Sequence, residues 1–190
     1  MRKWKWGILF SGDNLTLIET VKFAKEAETA GADSLWTTEL GRDAFVPLAA
    51  IAAECNTARL GTGVATYARP PAMTEITAMS MAELTNNRFI LGLGTAPPLW
   101  NENWHQLKVE KPAKRMREYV GAIRAMWRSN PSNTINYDGD IIKIHEYQRI
   151  MEPAYNSLPI YLAAVQPGML QLAGEIADGL LANLLNTPKY

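Results

Sequence analysis

Glycines, rather than ionisable groups, carry the chemical signal in this sequence. Arg59-Leu60-Gly61-Thr62-Gly63-Val64-Ala65 places two of them inside an otherwise apolar run. Glycine within a strand forfeits packing and chain entropy, so it marks either tight packing by a neighbour or a bulge on which a flat ligand lies. A second pair closes Arg88-Phe89-Ile90-Leu91-Gly92-Leu93-Gly94, ahead of Thr95-Ala96-Pro97-Pro98. No third glycine follows and no helix opens directly, so this is not a dinucleotide fingerprint. Gln166-Pro167-Gly168-Met169 falls where an apolar run gives way to a helical pattern. The unpaired N–H groups and positive end of a helix suit a phosphate, while Pro167 is also ordinary first-turn chemistry.

Ionisable candidates are fewer. Glu39 closes the run Ser34-Leu35-Trp36-Thr37-Thr38 and is the candidate acid or base at a strand end, with Glu102 a weaker one. His105 and His145 are too far apart to suggest a metal pair, and no carboxylate cluster accompanies them, so no metal is expected. Cys55 is the one cysteine, which excludes an intrachain disulfide and reads as a small buried apolar residue. There is no nucleophile elbow and no Walker-type loop. Trp100 and Trp104 lie in a polar excursion, where they wall an apolar pocket or pack in the interior.

The elements that would position these residues alternate. Gly7 to Phe10 reads as a buried strand, Leu15 to Ala27 as an amphipathic helix stopped by Gly31, and Ser34 to Thr38 as a second strand. Pro47 to Ala53 reads as helix, Arg59 to Ala65 as the third strand, and a helix from Pro71 carries Met73, Ile76, Met79 and Leu84. Arg88 to Gly94 is the fourth strand, and Pro112 opens a helix with Met116, Tyr119, Val120, Ile123 and Trp127. Asp138-Gly139 between strand-like runs predicts a small hairpin over Ile135 to Ile144. Pro159 to Ala164, Gly168 to Ala177 and Gly179 to Asn183 then give strand, helix, strand.

Strands apolar throughout, alternating with helices, imply a parallel sheet covered by helices. A closed eightfold barrel takes about 250 residues, and the 190 present stop short of it. The expected architecture is an α/β fold: a single incomplete TIM-type (β/α) barrel domain over 1–190, truncated to about six units, with an inserted hairpin. A doubly wound open sheet is the alternative. In both, function gathers at the C-terminal strand ends. Those are Phe10 to Asp13, Thr38 to Arg42, Gly63 to Arg69, Gly94 to Trp100, Val165 to Met169, and Asn183 to Thr187.

Composition narrows the class further. Apolar residues are 47% and charged residues 20%, ordinary for a folded globular chain. Lys plus Arg (19) equals Asp plus Glu (19), which gives no electrostatic reason for a nucleic-acid partner or an anionic membrane surface. The basic N-terminus lacks the apolar stretch of a signal peptide, and no apolar run approaches the ~18 residues of a membrane span. A cytoplasmic protein with a small-molecule substrate is expected. An unclosed parallel barrel exposes sheet edges and apolar helix faces, so a homo-oligomer covering the open edge is expected as well.

Taken together, the segments resemble the luciferase-like monooxygenase superfamily, most closely its deazaflavin-using, methylenetetrahydromethanopterin reductase-like branch. Ser34 to Glu39 looks like that family's second strand. Arg59 to Val64 with Tyr67, Arg69, Pro70 and Pro71 is similar to its third. Leu84 to Gly94, containing Asn87 to Gly94, resembles the fourth, Trp104-His105, Lys111-Pro112 and Arg115 to Tyr119 the fourth helix and its approach, and Pro159 to Gly179 the fifth unit. The resemblance implies a barrel that binds FMN or coenzyme F-420 (a deazaflavin) at its C-terminal face. It also implies a non-proline cis peptide at Gly63–Val64 behind the tricyclic ring. Implied cofactor-binding residues are Thr38, Gly63, Val64, Gly94, Thr95, Gln166, Pro167, Gly168 and Met169, the last four towards a phosphate. The implied activity is an oxidoreductase with hydride transfer at the cofactor ring, followed in some members by oxygen activation.

Two departures stand against a simple transfer of roles. Many relatives place a histidine after the second-strand acid, where this chain has Leu40, and some carry a glutamate after the fourth-strand glycine, where it has Ala96-Pro97-Pro98. The competing expectation is therefore a truncated, non-catalytic paralogue or fragment, acting as a flavin-binding or structural subunit of an oligomer.

Overall fold

The computed structural model describes residues 5–11, 14–108 and 110–183. Expectations for Gly12, Asp13 and residues 184–187 lie outside the described residues. Strands β1 (Gly7–Phe10), β2 (Ser34–Thr37), β3 (Arg59–Thr62), β4 (Ala65–Thr66) and β5 (Phe89–Gly94) alternate with helices α1 (Leu17–Thr29), α2 (Phe45–Ala52) and α3 (Pro71–Leu84). Helices α4 (Pro98–His105) and α5 (Pro112–Met126) follow, then strands β6 (Ile135–Asp138), β7 (Lys143–Tyr147) and β8 (Ile160–Ala163), helix α6 (Pro167–Ile176) and strand β9 (Gly179–Leu181).

The main sheet runs β1-β2-β3-β5-β8-β9, every pair parallel, with β4 also paired to β5. Barrel strands follow one another in sequence order with no central crossover, so the sheet is an incomplete TIM-type barrel and not a doubly wound fold. β6 and β7 form a separate antiparallel ribbon, the expected hairpin. Its connection is closed by Gly139 N–H donating to the Ile142 carbonyl at 2.9 Å.

Strand alternation divides the side chains into two sets. Leu35, Leu60, Phe89, Leu91, Leu93, Ile160 and Leu162 point outward and are fully buried with Leu48, Ile51, Ala78, Tyr119, Ile123 and Leu172 of the helices. The opposite parity, Leu9, Trp36, Gly61, Gly92 and Tyr161 among others, faces the barrel interior. Cys55 belongs to the outer core, where burial pushes its thiol up to about 11.

Three local features differ from the expectation. Helix α2 begins two residues early, because Asp43 accepts from Phe45 N at 2.7 Å and Val46 N at 2.9 Å and so supplies the start that Pro47 was expected to mark. The polar excursion contains α4, opened by Pro98 at its first position. Its anchor is the buried Asn101, whose amide donates to the Thr95 carbonyl at 2.6 Å. The expected third strand is two pieces, with the Gly63–Val64 peptide between them in the cis form that the resemblance implies.

That break has a simple register. Gly61 pairs with Ile90 and Ala65 with Leu93, so residues 62–64 oppose only 91–92, a bulge of one residue. Gly92 permits the close approach, since a Cβ there would collide with the Thr62 carbonyl and sit 2.8 Å from Leu181 Cδ1. Gly92→Ala is therefore expected to lower stability by about 3 kcal/mol through overpacking against backbone. Gly174→Ala, in the open interior of α6 with nothing within 4 Å, should raise it by about 0.5–1 kcal/mol. Urea unfolding midpoints of the two variants check the opposite signs.

Candidate functional site

The bulge faces a cavity of about 590 Å³ at the C-terminal ends of the strands. Leu9, Trp36, Val64, Val165 and Leu181 wall it, Gly63 and Ala163 leave it wide, and Ser11 and Asn183 supply its polar groups. No lining residue among the described residues carries an ionisable side chain. This volume falls within the ~300–1,000 Å³ of small-molecule sites, and the predominantly apolar wall suits a planar ring system.

Side chains replace the backbone pairing that the bulge gives up. Thr62 is fully buried, and its hydroxyl donates to the Gly92 carbonyl at 2.7 Å while accepting from Gly92 N at 2.9 Å. On the other side, Gly63 N donates to the Thr37 carbonyl at 2.6 Å and Glu39 N to the Val64 carbonyl at 3.1 Å. Glu39 reaches back with both oxygens: one accepts from Thr66 N at 2.7 Å, the other from Arg69 at 2.9 Å.

Arg69 joins the loops after β2 and β4. Its guanidinium also meets Asp43 at 2.7 Å and lies 4.9 Å from the centroid of the Phe45 ring. Burial opposes its charge, but the hydrogen bonds to Glu39 and Asp43 more than offset this and raise its pKa. Asp43 shifts the other way. Burial favours its neutral form, yet the Val46 and Phe45 N–H groups and Arg69 outweigh it and hold the carboxyl below its ordinary value. The Arg69 carbonyl accepts from Tyr119 Oη at 3.0 Å, fixing the same loop to α5.

The sequence profile of the luciferase-like monooxygenases matches residues 7–190. The chain belongs to that family. A 5,10-methylenetetrahydromethanopterin reductase of Archaeoglobus fulgidus is 35% identical over 182 residues, covering 94% of this chain and 53% of the relative. The protein of the same description from Methanolobus tindarius is 33% identical over 170 residues, covering 88% and 50%. The chain thus spans about half the length of the curated relatives it matches. Among solved structures, the F420-dependent tetrahydromethanopterin reductase of Methanopyrus kandleri superposes with a TM-score of 0.76 at 24% identity, covering 94% of this chain and 55% of that one. An F420-dependent secondary alcohol dehydrogenase bound to an F420-acetone adduct gives 0.83 at 18%, covering 95% and 58%. These two likenesses are likenesses of fold.

Within this luciferase-like fold the residues singled out from sequence fall in several places. Gly63 and Val64 line the cavity. Gly94 lies behind them, where a Cβ would sit 2.5 Å from Val64 Cγ2. Thr95 leads out of β5 with its carbonyl taken by Asn101. Thr38 lines a separate, smaller cavity of about 260 Å³ with Phe10, Leu40 and Arg42. Gln166 to Met169 form the start of α6, directly after the cavity-lining Val165, and no side chain caps it. Glu102 is exposed on α4. Trp100 and Trp104 stack on one another at 4.7 Å on that helix, and neither lines the cavity.

Arg69, Asp43 and Thr62 were not singled out by sequence reasoning. Arg69 stood in the quoted third-strand segment with no role, because its partners are 26 and 30 residues away. Among the described residues no group of three or more His, Cys, Asp or Glu is placed to hold a metal ion. No helix among them is long and apolar enough to cross a membrane.

Asp43 makes the acid stability of this corner measurable. Its folded pKa is depressed, so as pH falls the unfolded chain takes up the proton first. The contribution is complete above the ordinary value of about 4 and is lost below it. Asp43→Asn should flatten the acid limb of a stability-versus-pH curve below about pH 4, read by urea midpoints at each pH. Arg69→Met, which strands two carboxylates, should lower stability by about 2 kcal/mol at neutral pH. Equal acid limbs for Asp43→Asn and the parent would show that this corner does not carry the linkage.

Proposed function

We propose that this chain supplies the ring-binding part of a flavin- or deazaflavin-dependent oxidoreductase that reduces or oxidises a small molecule by hydride transfer. The single observation that carries the reading is the apolar cavity at the strand ends, walled by the Gly63–Val64 bulge and free of ionisable side chains among its described lining. FMN or coenzyme F-420 fits these residues: the walls are apolar, the interior positions Gly63 and Ala163 are small, and the cavity is of ring size. When bound, such a cofactor supplies hydride chemistry at its central ring.

The chain's own residues then have separable tasks. Val64 and Gly63 form the wall behind the ring, held by Thr62 and by the Thr37 and Glu39 backbone groups. Leu9, Val165 and Leu181 give the ring an apolar rim from which the bound ring displaces water, which favours transfer by holding the reactants close. Glu39, with both oxygens engaged by Thr66 N and Arg69, acts as a positioning residue for the wall and not as a proton carrier. The start of α6, at Gln166 to Met169, takes the cofactor phosphate in this reading, which its uncapped N–H groups support. Hydride transfer itself asks for no proton from the lining, which suits the groups present. The reductases among the relatives support the reductive direction over oxygen activation. The retained cavity favours this reading over a purely structural subunit.

Titration of the purified chain with FMN and with coenzyme F-420, followed by visible absorption, tests the proposal. One of the two should bind with a shifted spectrum. FMN should bind about tenfold more tightly than riboflavin if α6 holds the phosphate, a difference of about 1.4 kcal/mol. Gly94→Ala, which drives Val64 into the cavity, should weaken binding about tenfold while leaving the far-ultraviolet dichroism intact. Flat titrations of the folded parent chain with both cofactors would sink the reading.

A further inference from the structure

The barrel interior below the cavity holds two aromatic rings, each lying on a glycine of the next strand. Trp36, on β2, leans over β3 so that a Cβ on Gly61 would stand 2.5 Å from its Cε3. Tyr161, on β8, leans over β9 in the same way, 2.6 Å from a Cβ built on Gly179. The rings approach with centroids 6.1 Å apart and planes tilted by 33°. The indole is oriented by its own N–H, which donates to Ser34 Oγ at 2.9 Å. Between the two aromatic strands, β5 presents Gly92 at the register of Tyr161. The layer above carries Gly63 and Ala163, and there the cavity opens.

This arrangement of large rings on glycines fills the interior beneath Gly63 and Ala163 and leaves the space beside those two residues open. Trp36 itself lines the cavity. We propose that Trp36, seated on Gly61 and backed by Tyr161, is the specificity-determining floor of the ring site. It sets how deep a planar tricyclic ring enters and presents an aromatic surface to the ring's inner end. The inference rests on the ring-site reading above, and its test separates the two. A floor of this kind selects for flat aromatic ligands, because a planar ring gains contact with an indole that a bulky saturated ligand of equal volume does not.

The experiment uses the parent chain, Trp36→Phe, Trp36→Ala and Gly61→Ala, with Trp104→Phe as a control for an exposed indole away from the cavity. Each is titrated with FMN and with coenzyme F-420, recording visible absorption and tryptophan emission; dichroism checks the fold. Ring binding should quench part of the parent's emission. That quenched part should vanish in Trp36→Phe and persist in Trp104→Phe. Affinity should fall about threefold in Trp36→Phe and about tenfold in Trp36→Ala. Gly61→Ala, which lifts the indole towards the cavity, should weaken binding about tenfold while keeping the quench. If Trp36→Ala or Gly61→Ala fails to fold, Trp36→Phe, which keeps an aromatic ring over Gly61, decides alone. A parent chain that binds neither cofactor overturns the ring site and the floor together. A parent that binds, with Trp36→Phe matching it in affinity and quench, overturns the floor and leaves the ring site standing.

Discussion

A buried backbone cannot leave its N–H and carbonyl groups without partners, and that constraint shapes the mouth of this half-barrel. Between β3 and β5 one surplus residue breaks the ladder, so several main-chain groups lose their usual mates. The Thr62 hydroxyl serves Gly92 as donor and acceptor at once, the Glu39 carboxylate takes Thr66 N, and Gly63 N and the Val64 carbonyl are paired across to Thr37 of β2 and to Glu39 in the loop after it. A bulge in a parallel sheet is thereby held in one shape. The cavity exists because that shape persists: Val64 is turned to its wall, and Gly63 and Gly94 leave the space in which the turn is made.

The interior beneath follows the same logic by volume. Barrel cores are filled in layers contributed by alternate strands. Here Trp36 and Tyr161 crowd the interior at the expense of Gly61 and Gly179, and the positions above them at Gly63 and Ala163 are small. A uniform set of medium-sized residues would fill both layers and leave no site. Alternating very large with very small residues concentrates the free volume at the strand ends, where the loops converge.

Long-range polar contacts then fix the loops and the added ribbon to this frame. Arg69 joins the loops after β2 and β4, Tyr119 ties the latter to α5, and Thr74 bonds Tyr119 at 2.6 Å. On the far side, Glu75 of α3 is buried against Arg149 and Tyr147, and Glu118 of α5 accepts from Ile141 N at 2.7 Å and Ile142 N at 2.9 Å. The β6–β7 ribbon is thus attached to the helical layer through carboxylates of two helices. Removing one member would leave a buried charge unpaired, so these groups specify position more than they add stability.

The alternation of apolar runs with amphipathic stretches, punctuated by Gly31, Pro71, Pro112 and Asp138-Gly139, determined the element order and the parallel sheet by itself, because each period is a local property of the chain. The glycines at 61, 63, 92 and 94 marked where something unusual must happen, since a missing side chain inside a strand calls for an occupant. What stands over each glycine was not legible. That Trp36 covers Gly61, that Gly92 faces the Thr62 carbonyl and that Glu39 serves Thr66 and Arg69 depend on register between strands and on contacts some 25–30 residues apart. Register is a property of the assembled sheet, and only tertiary structure decides it. The same reason hid α4, whose polar sequence becomes a helix by anchoring the buried Asn101 against the end of β5.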